Sequence, residues 1–279
     1  MNEMQSENLG TWVDGVRCDN VPADDRGLAY GDGLFETVLV REGRPRFLFD
    51  HLARLTAGCS RLRIPLDAVR EMRADIDAAV ADAPSLAVLK ILVTRGSTVR
   101  RGYAPGGSEI PRPIVSLWKA APLPSHPDGV KLVLASLRIA DQPALAGIKH
   151  LNRLENVLAA RQAQEAGAFE ALMLGTDDRL VSGAMSNLFI VKSGQIRTPF
   201  VDRAGVAGIM RGIVLRECAA LGLAASEDHL TLEDLFAADG AFITNARLGV
   251  VPVGRVGEHS FPMNVIAQRL GAHIEALDA

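Results

Sequence analysis

Cysteine is scarce in this 279-residue chain. Cys18, Cys59 and Cys218 are odd in number and far apart. That spacing excludes a disulfide framework, and without clustered Cys and His ligands it excludes a zinc site. The thiols read as reduced and mostly buried, as in a cytosol. No run of 18 apolar residues occurs, so no segment is expected to span a bilayer. The first twenty residues are polar, contain Trp12 and Asp14, and lack the apolar core of a signal peptide. An excess of one charge is also missing: the net charge is −3, with acids and bases mixed throughout. No basic face points to nucleic acid, and no Lys/Arg block or basic amphipathic helix points to a membrane. The expected partners are small molecules or a second copy of the chain, in the cytoplasm.

What is present is an ordinary globular composition, 48% hydrophobic and 23% charged. The length suggests about two domains and a core that needs no staples. Gly33 to Val40 is β-rich, Glu42-Gly43 signals a turn, and Arg46 to Phe49 returns. Leu52, Leu55 and Cys59 recur at helical spacing in a helix expected from Asp50 to Leu62, and Leu66 to Ala83 reads as a second. Leu86 to Thr94 and Pro113 to Trp118 read as strands around an arginine- and glycine-rich loop, Arg95 to Gly107. The proline-rich stretch 120–127 can continue neither element and is the expected linker between domains 1–119 and 128–279.

The second domain begins with a strand at Val130 to Ile139 and a loop at Ala140 to Gly147. A helix at Asn152 to Ala166 and a buried strand at Ala171 to Leu174 follow. A hairpin is expected from strands around Arg179 to Ser182 and Asn187 to Val191, turning at Lys192-Ser193-Gly194. Gly208 to Leu221 and Leu232 to Phe236 read as helical, Ala241 to Thr244 and Gly249 to Val256 as strands, and Val265 to Leu277 as the last helix. Hairpins mixed with helices, without repeated βαβ spacing, make the fold class α+β.

Only five of the thirty basic residues are lysines. Lys90, Lys119, Lys131 and Lys192 flank strands or sit at the linker or a turn. Lys149 differs, because it follows Ala146-Gly147-Ile148 on a loop between a strand and a helix. A desolvated amine there can have a lowered pKa and act as a carbonyl-trapping nucleophile and proton carrier. Taken alone, a lysine beside a helix is more often structural.

The segment Gly147-Ile148-Lys149-His150-Leu151-Asn152-Arg153-Leu154-Glu155-Asn156 resembles the lysine segment of the fold-type IV pyridoxal-phosphate enzymes. These form the class-IV aminotransferase family, and among them the segment looks most like that of the 4-amino-4-deoxychorismate lyases. The resemblance continues in Asp25-Arg26-Gly27, Tyr30 to Thr37, His51-Leu52-Ala53-Arg54-Leu55 and Arg101-Gly102-Tyr103. It resumes in Ser186-Asn187-Leu188-Phe189, Gly205 to Arg211 and Thr244-Asn245-Ala246. These pieces are weak singly and strong in this order. They imply a two-domain enzyme of the D-amino acid aminotransferase-like fold with its active site in an interdomain cleft. They also imply a homodimer and pyridoxal 5'-phosphate as cofactor.

The implied roles fit physical need. A phosphate dianion wants a cation and the N–H groups of a helix N-terminus. Arg54, which alone reads as an exposed helical arginine, holds the family's phosphate-arginine position. Ile209 and Met210 open a helix whose N–H groups face the phosphate. Asn245 and Ala246 form a second phosphate loop, and Val206 packs on the pyridine ring. Lys149 carries the cofactor. Thr37, in a strand where threonine ordinarily just packs, is placed to assist proton transfer. A substrate with two carboxylates is received by arginines: Arg101 with Tyr103 on the loop, and Arg153, with Arg95 and Arg100 as alternatives.

One departure stands out. Where most relatives have a glutamate beside the pyridine nitrogen, the sequence has Ser182, and no acid lies between Asp178 and Asn187. A serine can only hydrogen-bond the nitrogen, where a carboxylate would hold it protonated. The electron sink is then weaker, which favours elimination with ring aromatisation over transamination. The implied reaction is conversion of 4-amino-4-deoxychorismate to 4-aminobenzoate and pyruvate, a folate-pathway step. The alternative is an aminotransferase of the same fold acting on D-amino or branched-chain amino acids.

Overall fold

The structure is a computed structural model and describes residues 7–98 and 102–277. Asp14 and Gly15, at φ 52° and 78°, turn the chain from β1 (Asn8–Val13) into β2 (Val16–Arg17). The first unit continues through α1 (Arg26–Tyr30), β3 (Gly33–Arg41), β4 (Arg44–Pro45), α2 (Leu48–Leu62), α3 (Asp67–Val80), β5 (Leu86–Thr94) and β6 (Arg112–Lys119). Its six strands form an antiparallel sheet in the order β2-β1-β6-β5-β3-β4.

Alternation along β3 sends Leu34, Glu36, Val38 and Val40 into the interior. The α2 helix answers with His51, Leu55, Gly58 and Cys59, buried at i, i+4, i+7 and i+8. Gly58 is required there, because a Cβ would stand 2.9 Å from Leu34 Cδ1. Leu34, Leu55, Met72, Ile76, Leu89 and Ile91 are wholly enclosed, each contributing about 1.5–3 kcal/mol of burial.

The second unit comprises β7 (Val130–Ile139), α4 (Leu154–Glu165), β8 (Glu170–Gly175), β9 (Leu180–Gly183), β10 (Asn187–Lys192) and β11 (Gln195–Pro199). It continues with α5 (Ile209–Ala220), β12 (Ala225–Asp228), α6 (Leu232–Phe236), β13 (Gly240–Asn245), β14 (Gly249–Val256), β15 (His259–Ser260) and α7 (Val265–Glu275). Its mixed sheet runs β12-β11-β10-β13-β14-β7-β8-β9, with β15 on β14. The β11–β12, β14–β7 and β7–β8 pairs are parallel. The α4 helix lies on β7 and β8 over small side chains, Ala135, Ala159, Ala163 and Ala171. Elsewhere Leu132, Leu172, Leu188, Ile190 and Ile243 form a larger core. Phe189 and Phe242, paired across β10 and β13, stack at 4.8 Å.

Two features depart from expectation. The expected turn at Lys192-Ser193-Gly194 forms but joins β10 to β11, and strands 179–182 and 187–191 do not pair: β9 pairs with β8, Met173 opposite Ser182, while β10 pairs with β11 and β13. Closeness in sequence does not choose a ladder partner when several strands of one sheet compete. The boundary between units falls at Pro122/Leu123, inside the expected linker 120–127. Finally, Ile148–Asn152 groups with the first unit. Backbone pairing is the reason: Phe35 N–H donates to Lys149 O (2.9 Å) and Leu151 N–H to Gly33 O (3.0 Å), with His150 opposite Leu34.

Candidate active site

In the first unit, Lys149 is placed by its pairing with β3. Phe35 stands opposite it, and the Lys149 amine lies 4.2 Å from the centre of the Phe35 ring. Thr37, two residues on, shares the strand face of Phe35. Amine, ring and hydroxyl therefore line one side of β3, and Lys149 is half-buried.

The opposite face of β3 carries a residue whose role the sequence did not disclose. Glu36 is 1% exposed, and its carboxylate receives Arg54 in a fork, Nε to Oε1 at 2.8 Å and Nη2 to Oε2. His51, one turn before Arg54 on α2, brings Nδ1 to 2.6 Å from Oε2. Burial alone would raise the Glu36 carboxyl, but the bonds from His51 and Arg54 outweigh it and hold the group below its ordinary value. Arg54 is thus a partly buried, oriented cation rather than a solvated helical arginine. The signal available in sequence was an acid inside an apolar strand, with His and Arg three apart on the next helix.

Around the arginine-rich loop, the structure separates two roles. Arg95 forks onto Asp32 (Nε to Oδ2 2.7 Å, Nη2 to Oδ1 3.0 Å) and donates to the carbonyls of Leu62 and Arg63, closing the C-terminus of α2. It is a structural staple, which removes it as a carboxylate receptor. Arg26 also bonds Asp32 and holds the carbonyls of Gly102 and Tyr103. Burial would raise the Asp32 carboxyl, yet Arg95 and Arg26 keep it below its usual range. Tyr103 is 86% exposed with its ring edge on Tyr30. Arg100 and Arg101 lie outside the described residues.

In the second unit, Gly208 precedes α5, and no side chain caps the helix or places an acid in its first turn. The N–H groups at Ile209 and Met210 are the kind a helix start leaves for an anion. Gly208 has to be glycine, since a Cβ would stand 2.0 Å from Asn187 Oδ1. Asn187 Nδ2 donates to Val206 O (2.9 Å). Asn245 Oδ1 accepts the N–H groups of Arg247 and Leu248, which shapes the loop through Ala246. Beside it Thr244 has a buried hydroxyl with no hydrogen-bond partner, an orphan donor in an otherwise satisfied strand end. Ser182 is 6% exposed and its hydroxyl donates to Gly183 O at 2.9 Å. Arg153, half-buried at the start of α4, reaches Asn156 Oδ1 at 3.4 Å.

Each unit by itself offers groups that suit an anionic aldehyde: the first an amine on an aromatic ring and an oriented guanidinium, the second an uncapped helix start and an unused hydroxyl. The cysteines do not belong to this chemistry. Cys59 and Cys218 are buried, and burial pushes both thiols up to about 11.

Comparison with known proteins places the chain. It is 33% identical over 274 residues to the aminodeoxychorismate lyase of Vibrio harveyi, covering 94% of this chain and 98% of that one. With the D-alanine aminotransferase of Bacillus licheniformis it shares 32% identity over 241 residues, covering 84% and 82%. The crystal structure of 4-amino-4-deoxychorismate lyase from Pseudomonas aeruginosa is similar with a TM-score of 0.88 and 41% identity, covering 96% of this chain and 100% of that one. The amino-transferase class IV family matches residues 33–256. Members of that family depend on pyridoxal phosphate, which the donors just described suit. Because the match runs from β3 to the end of β14, the chain belongs to the class IV amino-transferase family and is an enzyme of fold type IV.

Proposed function

We propose that the enzyme converts 4-amino-4-deoxychorismate to 4-aminobenzoate and pyruvate, with pyridoxal 5'-phosphate as its cofactor. The observation that carries the reading is the Lys149 amine held over Phe35 on the face of β3 that bears Thr37. The likeness to the two lyases over nearly the whole chain supports this choice of substrate.

When bound, the cofactor supplies an aldehyde that holds the substrate's amine covalently and a ring that accepts electrons released beside it. Lys149 would hold that aldehyde between turnovers through its amine, which the substrate's ring amine would displace. The freed Lys149 amine then removes the proton from the amine-bearing carbon. Lys149 or Thr37 delivers a proton to the methylene of the enol ether as the carbon–oxygen bond breaks. Pyruvate leaves, the six-membered ring becomes aromatic, and atoms balance without an oxidant. Arg54, the N–H groups at Ile209 and Met210, and Asn245 with Ala246 hold the phosphate. Val206 would pack on the bound ring, and Ser182 would offer its hydroxyl to the ring nitrogen. Arg101, Arg153 and Tyr103 receive the substrate's carboxylates.

The enzyme acts as a cytoplasmic homodimer in this reading. Leu154, Val157 and Leu158, at i, i+3 and i+4 on α4, are 78%, 58% and 56% exposed, an apolar stripe that supports a second copy as partner. No helix among the described residues is long and apolar enough to cross a membrane.

The likeness to D-alanine aminotransferase favours a second reading, transamination on the same site. One experiment tests both. Purified enzyme is given the aminodeoxychorismate, and pyruvate and 4-aminobenzoate are measured beside an amino-acid/keto-acid exchange assay. Equimolar release of both products supports the lyase, and exchange without release overturns it.

A further inference from the structure

The donors of the turn Ala184–Ser186, between β9 and β10, converge on a single buried acid, with the Ala184 N–H shared with Ala171 O (3.0 Å). Glu170, the first residue of β8, is 1% exposed. Its Oε1 accepts the N–H groups of Ala171 (3.0 Å) and Ala184 (3.1 Å). Its Oε2 accepts the Met185 N–H (3.0 Å) and the Ser186 hydroxyl (2.9 Å). Gly183 makes this closeness possible, because a Cβ there would stand 2.8 Å from Oε2. Among the described residues no lysine, arginine or histidine bonds the carboxylate. Burial lifts its pKa above the ordinary value despite those four bonds. Three of the four bonds end on the turn, so the explanation for a buried acid here lies in what the turn holds.

The carbonyl side of the same turn gives that explanation. Ala184 O accepts Asn156 Nδ2 (2.7 Å), and Met185 O accepts Asn245 Nδ2 (3.1 Å). The next residue, Asn187, bonds Val206 O and fills the space above Gly208. One turn is thus tied to Val206, to the start of α5 and to the loop of Asn245 and Ala246. These are three of the four second-unit segments assigned to the cofactor, Ser182 being the other.

We propose that Glu170 is a positioning residue, which sets the phosphate-binding backbone of the second unit by fixing the Ala184–Ser186 turn. The proposal rests on the cofactor reading above and adds the acid that the sequence lacks at Ser182, in a different role. A carboxylate suits the task because it accepts from four donors at once, which an amide cannot.

The test compares full-length wild type and Glu170→Gln, each freed of cofactor and titrated with pyridoxal 5'-phosphate and with pyridoxal, which lacks the phosphate. The wild type should prefer the phosphorylated form strongly. In Glu170→Gln that preference should fall about tenfold or more, in the range seen when supporting partners of a bound group are removed. Affinity for pyridoxal should hold in folded protein, while the urea midpoint falls modestly, because the amide leaves a buried N–H of the turn unpaired. A merely structural role would weaken both ligands alike, and that result, or an unchanged preference, would overturn the proposal. Should Glu170→Gln not fold, Ser186→Ala removes one of the four bonds and reads the same ratio: a smaller fall supports the proposal, no change overturns it. A wild type without preference for the phosphate overturns the cofactor reading itself.

Discussion

Replacing Glu36 by glutamine removes a charge on which two side chains of the first unit converge. The carboxylate is 1% exposed and takes Nε and Nη2 of Arg54 in a fork together with Nδ1 of His51. Glutamine keeps one oxygen, while its NH2 group must face either Arg54, donor against donor, or His51, which can receive it only as the tautomer that accepts at Nδ1. Removing one partner of a buried ion pair costs about 3–5 kcal/mol. Against total stabilities of about 5–15 kcal/mol, that is a large share. At a urea slope of about 1–3 kcal/mol per molar, the midpoint should drop by more than about 1 M.

The pH dependence carries a sign that can be checked. Glu36 has its folded pKa depressed below the ordinary 4.5 by His51 and Arg54, in spite of burial. Its stabilisation is therefore complete above 4.5 and is lost as pH falls through the folded value. Wild type should weaken through that acid range, and Glu36→Gln should lose that part of the slope. Trp12 and Trp118 lie in β1 and β6, so tryptophan fluorescence during urea unfolding reports on the sheet that carries Glu36. A midpoint within about 0.3 M of wild type, with the acid slope intact, would refute the reasoning, since the pair would then contribute as little as an exposed one.

Three further outcomes are expected. Borohydride reduction of cofactor-loaded enzyme followed by peptide mapping should find the cofactor on Lys149, and Lys149→Ala should abolish turnover with the circular dichroism spectrum unchanged. Arg54→Ala should weaken pyridoxal 5'-phosphate binding by about 2–5 kcal/mol, the range for truncating one member of a buried charge pair, and unchanged affinity in a titration would remove Arg54 from the phosphate site. Ser182→Glu should raise exchange with simple amino acids relative to pyruvate release, at a stability cost of about several kcal/mol for an unpaired buried carboxylate. If both the activity ratio and the cofactor's absorption stay put in folded protein, Ser182 does not touch the ring nitrogen.

Periodicity made the long elements legible. Leu52, Leu55 and Cys59 announce α2, and alternation announces β3, because side-chain period follows directly from backbone geometry. The first hairpin carried its signal too: Asp14-Gly15 between Trp12-Val13 and Val16-Arg17 is a favoured two-residue turn, overlooked among polar neighbours. Pairing between strands was not legible. Which neighbour β9 or β10 takes depends on the whole sheet, and the attachment of Lys149 to β3 joins residues more than a hundred positions apart.

The acids show why site chemistry is harder to read than fold. A glutamate in a strand reads as solvent-facing, since a buried one is tolerable only with partners that sequence does not place beside it. Glu36 finds its partners 15 and 18 residues on, across a turn and a helix. Glu170 finds most of its partners 14 to 16 residues on, in backbone N–H groups and a hydroxyl that no residue type advertises. The two answer burial in opposite ways. Cations pull the Glu36 pKa down, so its charge contributes to stability, whereas neutral donors leave the Glu170 pKa raised. An acid that contributes stability can be kept for the fold alone. One whose bonds end on a turn tied to Val206, Gly208 and Asn245 is better explained by what that turn holds in place.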